Sequence, residues 1–285
     1  MNNIFTLFYI KIYKPDIIHF SYYNNSLLSN NNTPYILTIY DLIHEKLNLN
    51  QNQFQKKKLI NKARHIICIS DQTKKDLVKY YRTDAKKISV IHLGINSKNK
   101  NKNKKIKKKK FILYVGNRDR YKNFLNFTKA YSRSKFLTKN FKIVCFGGGN
   151  FNKEEIDIFK KIGILKKIIH KNGNDKFLEK NYREASLFVS LSLLEGFGLT
   201  LLEAIKSECP VVCSNIKIFR ETFGNSCFFV NPKDSENIQK GIEKVLKSRP
   251  LQKKLNKKGK NILTKFTWEK CAEKTYKIYN KILIK

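Results

Sequence analysis

Short apolar runs alternate with longer amphipathic stretches along most of the chain. Runs of about five residues rich in Ile, Val, Leu and Phe, bounded by polar residues, predict buried β-strands. Strands that alternate with helices favour a parallel α/β sheet. In the first part of the chain we predict strands at residues 16–20, 35–39, 65–69 and 88–91, a helix-like stretch at 51–64, and a helix that Ser70 caps and that runs to about Tyr81.

Residues 98–110 divide the chain into two parts. They are almost only Lys and Asn, and such a segment has too little apolar surface to pack, so we interpret it as a solvated linker. We therefore predict an N-terminal domain at 1–97 and a second domain at 111–265. The second domain has strands at 111–115, 141–146, 167–171, 187–190, 210–213 and 227–230, and helices near 154–162, 176–185, 199–205, 235–247 and 252–265, with a last helix at 268–284.

Residues 195–204 read Glu-Gly-Phe-Gly-Leu-Thr-Leu-Leu-Glu-Ala and follow a short apolar run. Gly196 and Gly198 let a loop turn tightly and let a ligand approach the backbone. From Leu199 onward the residues suit a helix, whose first N–H groups have no partner inside the helix and carry partial positive charge. A strand, a glycine loop and a helix in this order predict a docking place for phosphate.

Two carboxylates flank this predicted phosphate site. Glu195 lies in the loop, and Glu203 lies one helical turn after Leu199; because helical side chains lean toward the N-terminus, we expect both to face one pocket. A carboxylate accepts hydrogen bonds from the paired hydroxyls of a sugar or a ribose, so the set suits a nucleotide sugar. The alternative is a capped helix with a solvated Glu203, which is the usual state of a surface carboxylate.

The stretch 192–204 resembles the Glu-x7-Glu motif of retaining GT-B glycosyltransferases of family four, and residues 209–214, Cys-Pro-Val-Val-Cys-Ser, continue that pattern. The resemblance implies an α/β fold with two Rossmann-like doubly wound domains that face a cleft, and a C-terminal helix at 266–285 that crosses back to the first domain. It also implies transfer of a hexose, such as mannose, from a nucleotide diphosphate sugar to a glycan or lipid-linked acceptor, with retention.

The same resemblance assigns roles to residues of the motif. Glu195 is expected to contact the donor sugar and Glu203 the ribose, while backbone N–H groups around Gly198 hold phosphate. The remaining members of the donor-binding set are Gly116, Gly196, Phe197, Leu199 and Thr200.

A second loop, Gly-Asn-Arg-Asp-Arg-Tyr-Lys-Asn at 116–123, follows the predicted strand 111–115. Ligands in open α/β sheets bind beyond the carboxyl ends of the strands, where two fixed cations can stabilise a leaving diphosphate. In so basic a chain, simple surface charge is the alternative. The run resembles the donor-diphosphate loop of the same enzymes, which implies that Arg118 and Lys122 are catalytic cations, with Arg120 as the spare candidate. The glycine turn 147–149 is implied near the nucleotide base or ribose.

The run Tyr-Asp-Leu-Ile-His at 40–44 follows the predicted strand 35–39. Relatives usually place a His-Asp pair here, and its His helps to bind the sugar; Tyr40 stands where that His would be. The resemblance thus implies that Asp41 and His44 act on the acceptor or sugar side. We expect His19, in an apolar run, to be a core histidine. No Asp-x-Asp motif follows a strand, and GT-B enzymes generally need no bound metal, so we expect neither a metal nor a cofactor besides the donor substrate.

The formal net charge is +37, from 59 Lys and Arg against 22 Asp and Glu. The accompanying Asn and Ile suggest an AT-rich coding bias, and the functional interpretation is attraction to anionic membrane or phosphorylated substrate. We expect no nucleic-acid partner, because no basic, aromatic-interleaved motif is present. Six cysteines without a CxxC pair indicate reduced thiols, and no run is long enough to cross a bilayer. We therefore expect a cytoplasmic protein whose membrane contact is peripheral, at the inner face.

Family members normally begin with a strand and a glycine-rich loop that binds acceptor, whereas this sequence begins at a segment that resembles the middle of that domain. The N-terminal domain is thus expected to be incomplete, and a fragment, a split gene product and a degenerate copy all remain open. A truncated sheet exposes unpaired strand edges, so a partner chain supplying the missing part is expected in the split case. The alternative function is a non-catalytic or split-partner nucleotide-sugar-binding protein that lacks its acceptor half.

Overall fold

The computed structural model describes residues 2–21, 23, 33–49, 53–96 and 107–284, with side chains from residue 8 onward. The chain divides into two compact units. Unit 1 comprises Met1–Gly94 and Trp268–Lys285, and unit 2 comprises Ile95–Thr267.

Unit 1 is built on a four-stranded sheet in the order β1-β2-β3-β4, in which every pair is parallel. All residues of the second and third strands are buried, as is typical of parallel strands covered on both faces. The elements are α1 (Asn2–Tyr13), β1 (Ile18–Phe20), β2 (Tyr35–Ile39), α2 (Ile43–Lys46), α3 (Gln53–Lys62), β3 (His65–Cys68), α4 (Asp71–Tyr81), β4 (Ile88–Val90) and α13 (Trp268–Leu283).

Local sequence explains the start of α4. The Ser70 side chain accepts a hydrogen bond from the Thr73 N–H at 3.0 Å, and so satisfies one of the backbone donors that have no partner inside the helix. The sequence prediction of a helix capped by Ser70 and ending near Tyr81 agrees with the observed bounds.

Helix α13 covers one face of the unit 1 sheet. Its apolar residues Ile278, Tyr279 and Ile282 pack against Ile36 and other buried sheet residues. His19 of β1 joins this helix to the sheet, because its Nδ1 lies 2.5 Å from the Tyr279 hydroxyl and its Nε2 lies 2.7 Å from Thr38 Oγ1. His19 thus has a partner for each ring nitrogen.

Unit 2 is built on a six-stranded sheet in the order β10-β9-β8-β5-β6-β7, again with every pair parallel. Its elements are β5 (Lys109–Val115), α5 (Phe124–Ser132), α6 (Lys135–Asn140), β6 (Lys142–Phe146), α7 (Lys153–Lys161), β7 (Ile168–Lys171), α8 (Asp175–Glu184), β8 (Ala185–Ser190), α9 (Leu199–Lys206), β9 (Val211–Ser214), α10 (Lys217–Phe223), β10 (Phe228–Val230), α11 (Ser235–Lys247) and α12 (Arg249–Leu263).

The strand order creates a switch point in the unit 2 sheet. Strand β5, the first of the unit, lies inside the sheet; β6 and β7 extend it to one side, and β8, β9 and β10 extend it to the other. Where the direction of winding reverses, the loops after the two adjacent strands diverge and leave a crevice at their carboxyl ends. The crevice of unit 2 therefore lies beyond β5 and β8.

The core of unit 2 lies on both faces of this sheet. Ile112 and Ile143 belong to a cluster of buried side chains that also holds residues of α5 and α11. Leu113 and Val144, which alternate with them along the strands, are buried as well. Because successive strand residues point to opposite faces, both faces are covered.

Several details differ from the sequence prediction. Residues 98–106 of the expected linker 98–110 lie outside the described residues. Lys109 and Lys110 belong to β5, because the backbone of Lys109 pairs with Ala185 and its side chain meets Glu184 at 2.8 Å. Phe266 belongs to unit 2 and precedes the last helix, which begins at Trp268; the Phe266 carbonyl accepts from the Ile95 N–H at 3.1 Å. The short helices α2, α6 and α10, of four, six and seven residues, were missed, since they are too short to show a helical period.

Two further observations concern the cysteines and the length of the apolar helices. Five of the six cysteines are buried free thiols and Cys271 on α13 is half-buried. Among the residues that the structure describes, no helix has the length and apolar composition that a membrane crossing requires.

Candidate functional site

The loops after β5 and β8 meet beyond the switch point of unit 2. The first loop comprises residues 116–123 and the second residues 191–198. The Leu193 N–H donates to the Tyr121 carbonyl at 2.7 Å, so a backbone hydrogen bond joins the loops. Gly116 makes the turn out of β5 with φ +114°, a conformation that favours glycine, and its N–H donates to the Phe146 carbonyl at 3.0 Å. The side chains of both loops are therefore held close to the sheet edge.

Lys122 and Glu195 form an ion pair between these loops. Lys122 Nζ lies 2.7 Å from Glu195 Oε1, and the two side chains are 23% and 17% exposed. The neighbouring Asn123 fixes the first loop, because it takes a left-handed φ of 59° and its Nδ2 donates to the Pro232 carbonyl at 2.6 Å. In a partly exposed ion pair of this kind, the cation can release the carboxylate and bind a ligand phosphate. The carboxylate can then accept a hydrogen bond from a ligand hydroxyl.

Helix α9 begins directly after the second loop. Gly198 stands before its first residue with φ +106°, and a Cβ there would lie 2.9 Å from Phe219 and 3.0 Å from Phe223. Phe197 is buried and its ring stacks edge-on against Phe266 at 5.4 Å, so only its backbone remains for a ligand. The first N–H groups, those of Leu199 and Thr200, have no acceptor inside the helix and point to where an anion can bind.

Glu203 lies on the same helix, half-buried. Its Oε2 accepts a hydrogen bond from the hydroxyl of Tyr182 on α8 at 3.0 Å, and the Tyr182 side chain is itself buried. Burial raises the pKa of the Glu203 carboxyl, and Asp175 raises it further, whereas the hydrogen bond from Tyr182 and the charge of Lys206 lower it. The balance leaves the pKa above its ordinary value, because burial disfavours the charged carboxylate.

Arg118 does not join the Lys122–Glu195 pair. Its guanidinium meets Glu155 of α7, with Nε donating to Oε1 at 2.5 Å and Nη2 to Oε2 at 3.2 Å. It also donates to backbone carbonyls of the turn after β6. Arg120, the spare candidate, is exposed. The structure thus brings Lys122, Glu195 and the start of α9 to the switch point, and places Arg118 against the glycine turn.

Comparisons with known proteins assign the chain to a family. The family model described as glycosyl transferases group 1 matches residues 96–262, which is more than half of the chain. The chain belongs to this family. A second model, Glycosyltransferase Family 4, matches residues 5–99.

Two curated relatives of this group 1 glycosyltransferase are named as bacterial glycosyltransferases. The O-antigen chain mannosyltransferase RfbU of Salmonella typhimurium is 28% identical over 198 residues, which cover 68% of this chain and 54% of RfbU. The N-acetylgalactosamine-N,N'-diacetylbacillosaminyl-diphospho-undecaprenol 4-alpha-N-acetylgalactosaminyltransferase of Campylobacter jejuni is 29% identical over 244 residues, which cover 83% of this chain and 66% of that enzyme. The chain therefore spans just over half to two thirds of the length of these relatives.

A solved structure supports the fold. Anabaena HepE in complex with UDP and glucose matches 98% of this chain and 80% of its own with a TM-score of 0.80, at 13% sequence identity. The fold expected from the sequence is confirmed: the glycosyltransferase is an α/β protein of GT-B type, with a parallel sheet in each of two Rossmann-like units.

Unit 1 of the glycosyltransferase holds the residues expected on the acceptor or sugar side. Asp41 Oδ1 accepts from the Ile43 N–H at 3.0 Å and so supports the turn into α2, while His44 is exposed. The buried neighbour Glu45, which sequence reasoning missed, accepts hydrogen bonds from Tyr81 Oη at 2.7 Å and from Lys56 Nζ at 3.0 Å. Glu45 therefore holds α2, α3 and α4 together, and the roles of Asp41 and His44 stay predictions.

Sequence reasoning also missed Glu155 and Tyr182. The pattern Asn-x-x-Glu at 152–155 is a capping-box signal and marks Glu155 as a helix-start residue, but nothing in it points to Arg118. Tyr182 lies 21 residues before Glu203, and only the packing of α8 beside α9 brings the two together.

Proposed function

We propose that this glycosyltransferase moves a hexose from a nucleotide diphosphate sugar to a glycan or lipid-linked acceptor, with retention at the anomeric carbon. The names of the curated relatives support the glycan class of acceptor, and the UDP bound by HepE supports a nucleotide diphosphate donor. Mannose is the sugar that the name of RfbU suggests.

The observation that carries this proposal is the Lys122–Glu195 pair at the switch point, directly before the N-terminus of α9. In the transfer, the bond between the anomeric carbon and the diphosphate oxygen breaks, and a bond to the acceptor oxygen forms. Negative charge develops on the diphosphate, and a fixed cation together with a helix N-terminus stabilises that charge.

Each side chain of the pair then has a separate task. Lys122 leaves Glu195 and binds the departing diphosphate. The freed Glu195 carboxylate accepts hydrogen bonds from hydroxyls of the donor sugar, and Glu203 accepts from the ribose hydroxyls. With retention, the acceptor oxygen arrives on the face from which the diphosphate leaves, and its proton passes to the departing phosphate oxygen.

The positive groups of the chain supply the charge compensation in this scheme. We expect no metal ion to take part, so that a chelator leaves the transfer rate unchanged. The excess of Lys and Arg, 59 against 22 acidic residues, supports peripheral contact with an anionic membrane on the cytoplasmic side, where a lipid-linked acceptor would be met.

The test is calorimetric binding of UDP, GDP and their sugars to the purified chain, with product analysis in parallel. We expect micromolar affinity for one nucleotide diphosphate and a weakening of about 10- to 100-fold in Lys122→Gln, because a hydrogen bond to a charged group contributes about 1.5–3 kcal/mol. Lys166→Gln is the matched control, since it removes the same charge from an exposed position of unit 2.

Two outcomes separate the alternatives. Nucleotide binding with slow donor hydrolysis and no transfer would favour a nucleotide-sugar-binding protein or one half of a split enzyme. A folded chain that binds no nucleotide diphosphate would contradict the proposed function as a whole.

A further inference from the structure

We propose that Arg118 is a positioning residue that holds the glycine turn at 147–150 in place for the nucleotide, and that it does not itself bind the diphosphate. This inference rests on the proposed function for what the turn does, because the turn borders the candidate donor site. The contacts by which Glu155 and Arg118 hold this turn form a clamp, and the clamp itself can be tested without any ligand.

All three guanidinium nitrogens of Arg118 donate to protein acceptors, and Nε and Nη2 make the shortest contacts. Besides the two hydrogen bonds to the Glu155 carboxylate, Nη2 donates to the Asn150 carbonyl at 2.9 Å and to the Gly149 carbonyl at 3.2 Å. Nη1 donates to the Gly147 carbonyl at 3.4 Å. A guanidinium has five N–H donors, so a phosphate would have to displace several of these acceptors at once.

The electrostatics of Arg118 also oppose a direct role. Its side chain is only 6% exposed and its guanidinium stacks over the ring of Phe151 at 4.9 Å. The Glu155 carboxylate at 2.5 Å neutralises its charge and would repel an approaching diphosphate. Lys122, with a side chain 23% exposed, is the better placed cation.

The turn needs to be held. Gly147, Gly148 and Gly149 follow β6 in succession with φ of 75°, 71° and 72°, and consecutive glycines lose much conformational freedom when they are ordered. A Cβ on Gly148 would lie 2.6 Å from the Gly116 carbonyl oxygen and 3.0 Å from Arg118 Nη1. The turn is therefore packed tightly against the loop that carries Lys122, and its position depends on Arg118.

Glu155 anchors this arrangement to a regular element. Its Oε2 accepts from the Asn152 N–H at 2.9 Å, and its own N–H donates to Asn152 Oδ1 at 2.8 Å, which is a capping box at the start of α7. The clamp thus runs from α7 through Glu155 and Arg118 to the turn.

Glu155 distinguishes the clamp from direct binding. If Arg118 bound the diphosphate, Glu155 would compete with the ligand, and Glu155→Gln would leave the affinity unchanged or increase it. If Arg118 acts by holding the turn, Glu155→Gln and Arg118→Lys both loosen the turn and both weaken nucleotide binding. Both substitutions are conservative in size, and circular dichroism checks that the variants are folded.

The first measurement is hydrogen exchange of the amides at 147–152 without ligand, in the wild type, Arg118→Lys and Glu155→Gln. We expect faster exchange in both variants, by about tenfold, and unchanged exchange in Arg133→Gln. Arg133 is an exposed residue of the same unit that donates to Ser235 Oγ, and its loss removes one positive charge without touching the turn. Unchanged exchange at 147–152 in both clamp variants would overturn the proposal.

The second measurement is the affinity and turnover with the donor that the wild type accepts. We expect each single clamp variant to raise the donor KM about tenfold, with kcat at saturating donor within about twofold. The double variant should have no higher KM than either single variant, because both substitutions break the same Arg118–Glu155 contact. Normal or tighter nucleotide binding in Glu155→Gln beside a weakened Arg118→Lys would establish direct contact and overturn the proposal. A wild type that binds no nucleotide would refute the proposed function, while the exchange result still decides the clamp.

Discussion

The hydrogen bond from Tyr182 to Glu203 links a buried hydroxyl to a carboxylate of the candidate site. The ionised carboxylate can accept from both hydroxyls of a ribose diol, whereas the protonated carboxyl uses one oxygen as a donor, and burial raises the pKa of Glu203. The hydrogen bond from Tyr182 favours the ionised form and opposes that effect. Asp175, which raises the pKa, and Lys206, which lowers it, are the other charged groups that act on Glu203.

We predict that nucleotide binding, which weakens as the pH falls, is lost at a higher pH in Tyr182→Phe than in the wild type. Without the hydroxyl the pKa of Glu203 rises further, so the affinity at pH 6 should fall more than the affinity at pH 8. At pH 8 we expect a loss of about 3- to 10-fold, because one hydrogen bond contributes about 1 kcal/mol. Calorimetric titration of the nucleotide across this pH range measures both effects.

A ribose analogue and a second tyrosine serve as controls. The preference for the nucleotide over its 2'-deoxy form should shrink in Tyr182→Phe. Tyr131 is equally buried in unit 2, and its hydroxyl donates to the Phe141 carbonyl at 2.6 Å, away from the site. Tyr131→Phe should leave the pH profile and the ribose preference unchanged; an equal change in both variants would refute a positioning role for Tyr182.

At the scale of elements, Gly198 determines how α9 begins. Gly198→Ala would place a side chain at φ +106° and set its Cβ 2.9 Å from Phe219. We predict a loss of about 2–4 kcal/mol in the free energy of unfolding of unit 2, since a left-handed residue costs about 1–2 kcal/mol and the clash adds to it. Nucleotide affinity should fall as well, because the first turn of α9 must shift. Urea denaturation and calorimetry measure the two losses.

Gly163→Ala is the matched substitution. Gly163 has φ +72°, and a Cβ there meets no atom within 4 Å, so only the backbone cost applies. We expect it to cost about 1–2 kcal/mol of stability and no affinity. Equal costs for the two glycines would show that packing against Phe219 and Phe223 contributes nothing at Gly198.

The start of α9 and the cap of α4 could be predicted from sequence because their causes are local. A capping serine, or glycines between an apolar run and a helical period, act within a few residues. The clamp around Arg118 could not be predicted in this way. Arg118 and Glu155 are 37 residues apart, and which carboxylate an arginine meets depends on the order of β5 and β6 in the sheet. Sequence spacing identifies the loop but not the partner of each charge.

At the scale of the whole molecule, the two units differ in how they should respond to acid. Burial lowers the pKa of His19, and burial together with Lys281 and Lys74 lowers that of His65; both histidines belong to unit 1. A histidine whose pKa is lower in the folded state supports stability fully above its unfolded value of about 6.5, and that stability is lost as the pH falls below it.

We therefore predict that unit 1 loosens between pH 7 and pH 5, first where α13 meets the sheet. His19 bonds Tyr279 of α13, so amide exchange along this helix, corrected for its intrinsic pH dependence, should rise about 3- to 10-fold over that range. In His19→Gln the rise should be smaller, because one titrating group is removed. An identical pH response in wild type and variant would refute the assignment to His19.

The parallel architecture of both units follows from the alternation of apolar runs and helices, and it is predictable from the sequence. The exact unit boundary could not. Phe266 and Ile95 are far apart in sequence, but a backbone hydrogen bond joins them and both lie in unit 2, while Trp268 begins the helix that belongs to unit 1. Composition predicts a linker, but it does not show with which unit the segment around Phe266 will pack.

The burial of the cysteines gives the native chain a built-in set of chemical reporters. Cys68 ends β3 of unit 1, while Cys145, Cys209, Cys213 and Cys227 lie in or beside the sheet of unit 2, and burial raises the thiol pKa of Cys68 and of Cys209 to about 12. A neutral, buried thiol cannot be alkylated until its strand opens. The rate at which each native cysteine is alkylated, followed by mass spectrometry, would therefore measure how often each sheet opens, and no label needs to be engineered.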